Sequence, residues 1–247
     1  MSRSAKLGPS GTPMAFTLSR VEAIYSAPFT PPALELVGEM PRLIRSVYQA
    51  FADRYPGLPV NAFKALSSNI LSEVGISISL LEGRLEITLR VDQLMIAMNL
   101  RNPEEMRFAQ DCVLLMHDFI NKFISREQGT VTLGIASWLR VDGGRQEMVR
   151  KLNQIAKPQR TTFNKARIGA ETIDHFTKVQ FRNETAGWQL TVLAEPSASP
   201  DADLFIHRDY RFVPGGELDT SEKRLGFLET SSIAINEWLG IGALKQE

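Results

Sequence analysis

Residue types and patterns that define several common protein classes are scarce or missing in this sequence of 247 residues. The only cysteine, Cys112, excludes an intramolecular disulfide framework and a cysteine-rich metal site, and its apolar neighbours favour a buried, inert thiol. The three histidines, His117, His175 and His207, provide too few ligands for us to expect a structural zinc site. We therefore expect no metal or other cofactor, and a reducing compartment.

Long apolar runs and an excess of charge are also missing. No run of about 18 apolar residues occurs, so we expect no transmembrane helix and no membrane partner. Residues 1–13 are polar, lack the apolar core of a signal peptide, and are expected to form a disordered tail of a cytoplasmic protein. Lys plus Arg number 28, as do Asp plus Glu, and this zero net charge argues against a main role in binding bulk nucleic acid.

The standard catalytic signatures are absent. The sequence has no G-x-x-x-x-G-K-[ST], no G-x-S-x-G and no H-E-x-x-H. The stretch "VDGGRQE" lacks the lysine and the spacing of a phosphate-binding loop, and Gly143-Gly144 favours a turn before a helix. These absences favour a protein that is not an enzyme.

Apolar spacing in the first half predicts strand, helix, three strands and helix. The first strand begins near Phe16 and is expected to end at the prolines after Tyr25. A helix follows from about Ala33 to Arg54. Alternation over 76–98 predicts a three-stranded meander, and "NPEE" at 102–105, with Asn102 as the cap, begins a helix that is expected to reach about Arg126.

The second half repeats this order. A strand over 130–141 and a helix over 145–156 are followed by three alternating stretches. Asp219 and Glu222 form a predicted capping pair for the last helix, which is expected to bury Leu225, Leu228, Ile235 and Leu239. Both first strands carry Thr-Leu, at 17–18 and at 132–133. The sequence therefore predicts an α+β protein with an internal duplication of a β-α-β-β-β-α unit, spanning 14–128 and 129–247 and sharing one core. We expect an antiparallel sheet with helices packed mainly on one face.

The same order of elements resembles a sporadically distributed family of prokaryotic proteins of unassigned function. The stretches that carry the resemblance are "IYSAPFTPPALEL" near the start and "LDTSEKRLGFLETSSIAINEWL" near the end. The resemblance implies a cytoplasmic prokaryotic protein and supplies no catalytic residues. The doubled layout is also similar to helix-grip and TATA-binding-type sheets, which bind ligands or nucleic acid on a concave face.

The stretch "LFIHRDYRF" at 204–212 contains the strongest candidate for chemistry. His207 and Asp209 are two residues apart, so both project from one face of a strand as an acid/base dyad or two metal ligands. The competing and favoured interpretation is an exposed strand face that carries His207, Asp209 and Arg211 opposite buried Ile206, Tyr210 and the stem of Arg208. The other histidines are weaker candidates, because His117 is expected at the polar edge of a helix and His175 beside the carboxylates of Glu171 and Asp174.

A basic stretch at 150–167 is the clearest local charge bias. It contains no acidic residue, and a nucleic acid or a protein partner would contact these side chains: Arg150, Lys151, Lys157, Arg160, Phe163, Lys165 and Arg167. The alternative is a solvated loop at a helix end.

Three functions follow from these observations. The leading hypothesis is a non-enzymatic binding or adaptor protein in a prokaryotic multi-protein assembly or a homo-oligomer. The second is a nucleic-acid-associated protein that uses the basic stretch, and the third is a hydrolase that uses His207 and Asp209.

Overall fold

A computed structural model describes residues 13–123, 127–155 and 177–244 of the chain, which adopt an α+β fold. The four α-helices of the described chain are α1 (Glu35–Arg54), α2 (Pro103–Phe123), α3 (Gly144–Ile155) and α4 (Ser221–Leu239). The described strands are β1 (Met14–Thr30), β2 (Phe63–Leu66), β3 (Gly75–Leu80), β4 (Leu85–Arg90), β5 (Gln93–Leu100), β6 (Glu127–Gln128), β7 (Val131–Val141), β8 (Thr177–Asn183), β9 (Trp188–Pro196), β10 (Leu204–Phe212) and β11 (Ile241–Leu244).

All these strands join one sheet in the order β2-β3-β4-β5-β1-β7-β10-β9-β8. The long strand β1 lies at its centre, with β5 on one side and β7 on the other, both antiparallel. The short strand β6 also pairs antiparallel with β1, whereas β11 pairs with β1 in parallel. The expected antiparallel sheet is thus present, and β1 connects its two sides.

One face of the sheet is buried. Along the longer strands that are not at an edge of the sheet, buried side chains alternate with more exposed ones, as in Ile76 and Ile78 of β3 and Leu204 and Ile206 of β10. The buried stripes of all four helices belong to the same apolar cluster as these inward side chains. The described helices therefore cover one face, and in the described chain the opposite face is left open.

Helices α1, α2 and α3 lie where the sequence predicted them, and the predicted ends of α2 near 126 and of α3 at 156 lie outside the described residues. In α1 the buried residues are Leu36, Met40, Leu43, Val47 and Phe51, and Pro41 lies within the helix. The amide of Glu105 donates to the Asn102 side chain at 2.9 Å, as expected of a cap at the start of α2. None of the described helices is both long and apolar enough to cross a membrane.

The predicted end of the first strand at Tyr25 is wrong. Strand β1 continues through Pro28, which lies opposite Gln93 of β5. The carbonyl of Pro28 accepts from Gly129 N at 2.8 Å, on the side away from β5. Since N–H and C=O of a strand residue point to the same side, the missing N–H of proline removes no bond to β5.

The last helix also differs from expectation. Its cap is Thr220, whose side chain accepts from Lys223 N, rather than Asp219. Its buried residues are Ser221, Arg224, Ser231, Ile235 and Leu239, while Leu225 and Leu228 are less buried than predicted. The inner face of α4 is polar because it packs against a polar group of the sheet. The buried Tyr210 hydroxyl needs a hydrogen-bond partner, and its Oη lies 3.0 Å from Ser231 Oγ.

The structure contradicts the expectation for His117 and confirms the one for Cys112. His117 does not lie at a polar helix edge, since it is 2% exposed and lies 2.5 Å from the Tyr25 hydroxyl through Nε2. Cys112 is buried as expected, and burial raises the pKa of its thiol to about 12. The predicted tail, apart from residue 13, and His175 lie outside the described residues.

Candidate functional site

The open face of the sheet contains a wide trough. Strand register places three rows of side chains across β5, β1, β7 and β10, the strands at its centre. The first row is Ala97, Ile24, Gly134 and Asp209; the second is Asn99, Glu22, Ala136 and His207; the third crosses β1, β7 and β10 as Arg20, Trp138 and Phe205. Small residues in the first two rows leave a depression of about 790 Å³.

The floor of this trough is formed mainly by small or apolar side chains, with Glu22 of β1 among them, and further charged side chains line its edges. Ala97, Gly134 and Ala136 contribute little bulk, and Ile24 is 60% exposed. Arg84 and Glu86 lie at one edge, and His207, Asp209 and Arg211 lie at the other. Such a concave surface with charged edges is suited to receiving side chains of another molecule.

His207 and Asp209 do share the open face. His207 Nε2 lies 3.5 Å from Asp209 Oδ1, and their side chains are 37% and 56% exposed. A Cβ added at Gly134 would lie 3.3 Å from Asp209 Oδ1 and 3.7 Å from His207 Nε2, so the glycine gives this pair room. Ile206 and Tyr210 are buried on the opposite face, which agrees with the predicted alternation.

This pair lacks the surroundings of a catalytic dyad within the described chain. His207 makes no hydrogen bond to a serine or threonine hydroxyl in the part of the chain that the structure describes. Among those residues no group of three His, Cys, Asp or Glu side chains could hold a metal ion. The contact between His207 and Asp209 is partly exposed on both sides, and the structure shows no third group next to it in the described chain.

An aromatic row borders the trough. The Trp138 ring lies 5.0 Å from the Phe205 ring, and Phe205 stacks with His207 at 6.3 Å. The guanidinium of Arg20 lies over Trp138 at 4.0 Å from the ring centroid. Tryptophan and arginine are the residue types that contribute most often to the strongest contacts of protein interfaces.

The predicted basic surface is described only at its start. Arg150 and Lys151 lie on α3, whereas Lys157, Arg160, Phe163, Lys165 and Arg167 fall outside the described residues. Arg150 pairs with Glu147 at 2.6 Å, and Lys151 Nζ donates to the Gly240 carbonyl at 3.1 Å. Neither side chain lines the trough. The nucleic-acid hypothesis stays a prediction.

The sequence interpretation missed most of the trough. Outward positions such as Glu22, Ile24 and Trp138 follow from alternation within each strand. Which outward positions meet depends on the pairing of β1 with β7, which joins residues more than a hundred positions apart in the chain. One feature of the sequence did indicate this surface. Trp138 and Phe205 are large aromatic residues at outward positions of alternating strands.

Two comparisons of the sequence with known proteins found no relative. No protein-family model matches the chain, and no curated protein sequence shows significant similarity to it. The resemblance to a sporadic prokaryotic family stays a prediction.

Proposed function

We propose that this protein is a non-enzymatic binding protein whose open sheet face receives another protein chain, either a partner in an assembly or a second copy. The observation that carries the proposal is the combination of the 790 Å³ trough with the neighbouring row of Arg20, Trp138 and Phe205. Aromatic and arginine side chains beside a depression provide the anchors and the pocket that protein interfaces need.

The charges of the trough favour a polar rather than a purely apolar partner surface. Glu22 pairs with Arg20 at 3.4 Å, and Glu86 accepts from the Ser79 hydroxyl at 2.5 Å. Arg211 lies at the opposite edge. Charges of both signs at the rim give specificity and orientation, whereas the small side chains on the floor give space for an inserted side chain.

We further propose that the chain arose by duplication of one β-α-β-β-β-α unit. The orders β1-α1-β3-β4-β5-α2 and β7-α3-β8-β9-β10-α4 support this, as does the adjacent placement of β1 and β7 between the two meanders. Strands β2, β6 and β11 are additions to this scheme. A doubled unit would provide the wide sheet on which three rows of side chains lie side by side.

The binding proposal is tested by filling the trough. Ala136→Trp places a large ring between Glu22 and His207, whereas Ala234→Trp places the same ring at an exposed position of α4 and is the matched control. Sedimentation velocity and affinity capture at native expression would measure self-association and partner stoichiometry. We expect a fixed-stoichiometry complex with the wild type and Ala234→Trp, and a loss of at least about tenfold in affinity with Ala136→Trp.

Two outcomes would contradict the proposal. One is a monomer that captures no stoichiometric protein at native expression. The other is a complex that Ala136→Trp and Ala234→Trp retain equally, because its interface would then lie elsewhere. Hydrolytic activity that His207→Ala abolishes would instead favour the acid/base interpretation of His207 and Asp209.

A further inference from the structure

A second cavity system lies on the opposite, helix-covered face of the sheet. Helices α2 and α4 contact each other there and leave two adjoining cavities of about 300 and 310 Å³. We call these two cavities together the helix cleft. Five residues line both cavities: Val21, Met106, Gln110, Arg208 and Ser232. Arg208 therefore lies where the two parts of the cleft meet.

The wall of the cleft is mostly apolar. Its sheet side includes Met98 and Leu100 of β5 and Leu133 and Ile135 of β7, and its helix side includes Leu225 and Leu228 of α4. Leu225 and Leu228 were predicted to be buried in the core and instead line this space. Apolar pockets of roughly 300–1,000 Å³ with a few polar groups are typical of small-molecule sites.

Arg208 occupies an inward position of β10, between the buried residues Ile206 and Tyr210. Its Nη1 donates to Ser232 Oγ at 3.0 Å, and its Nη2 donates to Ser137 Oγ at 2.5 Å. Its Nε is buried without a hydrogen-bond partner among the described residues. A guanidinium has five N–H donors, so these contacts leave most of its donor capacity unused.

No carboxylate of the described chain lies within ion-pair distance of Arg208. Burial lowers the pKa of this guanidinium, although its ordinary value is so high that it stays charged at neutral pH. Arg208 is partly buried, and its hydrogen-bond partners in the described chain are two hydroxyl groups. Removing a cation from bulk water without a counter-ion is unfavourable for folding, and pairing with an anion would offset that cost.

The other charged groups of the cleft do not neutralise Arg208. Arg224 lines one cavity and donates to the carbonyls of Leu218 and Asp219 at 2.9 and 3.1 Å. Arg107 lines the other cavity. Glu229 is the one acidic residue among the side chains that line the two cavities, and it is exposed. The cleft is therefore apolar with an excess of positive charge.

We propose that the helix cleft binds a small amphipathic carboxylate, such as a medium-chain fatty acid, with its carboxylate on Arg208 and its hydrocarbon chain among the apolar side chains. A carboxylate can accept two parallel N–H bonds from one guanidinium and so supply the missing negative charge. A neutral apolar ligand would leave the cation unpaired. This site lies on the other face of the sheet from the trough and does not depend on the proposed protein partner.

The test uses decanoate, below its micelle-forming concentration, as the probe. Isothermal titration calorimetry on the full chain would compare decanoate with decanol, which has the same chain length and no charge. Arg208→Met keeps the length of the side chain and removes its charge, and Arg182→Met, on the exposed strand β8, is the matched control. We expect saturable binding of decanoate that Arg208→Met weakens by about ten- to hundredfold and that Arg182→Met leaves unchanged.

A second variant separates loss of the site from loss of the fold. Leu228→Trp fills the apolar part of the cleft, keeps Arg208, and is expected to weaken decanoate binding to a similar degree. Circular dichroism would verify that each variant is folded. The proposal is overturned if the wild type does not bind decanoate, if decanol binds equally well, or if folded Arg208→Met retains wild-type affinity.

Discussion

Tyr25 and His117 form a buried polar pair between β1 and α2. The hydroxyl of Tyr25 lies 2.5 Å from His117 Nε2, and the two rings meet edge to face at a centroid distance of 5.4 Å. Burial raises the pKa of Tyr25 to about 12. Burial, with a smaller contribution from the Arg224 charge, lowers the pKa of His117 to about 4, while Glu222 opposes the shift. Both side chains are therefore neutral at physiological pH.

This pair predicts a loss of stability in acid. The unfolded chain protonates His117 near pH 6.5, whereas the folded chain does so near pH 4, so between these values the unfolded state binds more protons. The free energy of unfolding should therefore fall by about 3 kcal/mol through this residue as the pH drops from 6.5 to 4. Urea unfolding over this range would measure the effect in the wild type, in His117→Gln, and in His207→Gln as the matched control.

Carboxylates also titrate in this range, and their contribution to the fall in stability is common to all three proteins. We expect His117→Gln to show a smaller fall in stability than the wild type, and His207→Gln, on the open face, to behave like the wild type. Equal pH dependence in both variants would show that the pKa of His117 is the same in the folded and unfolded states.

At the scale of elements, Gly75 of β3 lies opposite Arg90 of β4, where the backbone of β4 leaves no room for a side chain. A Cβ added there would lie 2.1 Å from the carbonyl oxygen of Leu89, a backbone atom that cannot move without disturbing the ladder. Gly75→Ala should therefore lower the free energy of unfolding by about 1–3 kcal/mol, or more if the strands separate. Chemical denaturation would measure this change.

Gly226→Ala is the matched control for that substitution. Gly226 lies within α4, and nothing lies within 4 Å of an added Cβ. Alanine favours a helix over glycine, so this variant should be more stable by roughly 0.5–1 kcal/mol. Destabilisation at Gly226, or a neutral effect at Gly75, would contradict the packing described for these two elements.

The local sequence predicted the long elements well and the short strands poorly. Helices α1 and α2 carry a complete apolar stripe and, in α2, a cap, so their positions follow from neighbouring residues alone. Strands β2, β6 and β11 are two to four residues long in the described chain and were missed. Strands this short contain too few residues to show a recognisable alternation. Their extended conformation depends on the strands with which they pair.

At the scale of the whole molecule, β1 connects every other part of the sheet. It pairs with β5 and β6 from the first half of the sequence and with β7 and β11 from the second. One apolar cluster also contains residues from all four described helices. This arrangement predicts that the described parts of both halves unfold together in one transition.

Tryptophan fluorescence provides a direct measurement. The three tryptophans, Trp138, Trp188 and Trp238, all belong to the second half of the chain, whereas far-ultraviolet circular dichroism reports on both halves. We expect urea unfolding curves from the two signals to superimpose. A separate transition seen by circular dichroism alone would mean that the first half unfolds independently.

The sequence by itself determined the class of fold and the inward and outward faces of strands such as β10. Alternation placed His207 and Asp209 outward and Ile206 and Tyr210 inward, because side chains of a strand alternate whatever surrounds it. Helical spacing and the Asn102 cap likewise act within a few residues. These features need no knowledge of distant parts of the chain.

Only the tertiary structure decided which of these faces meet. The trough depends on the pairing of β1 with β7 and of β7 with β10, and the cleft around Arg208 depends on how α2 and α4 lie over the same strands. The burial of His117 and the polar inner face of α4 also come from distant partners, Tyr25 and Tyr210. Hydrogen bonding and desolvation act through space, so a local pattern cannot assign these partners.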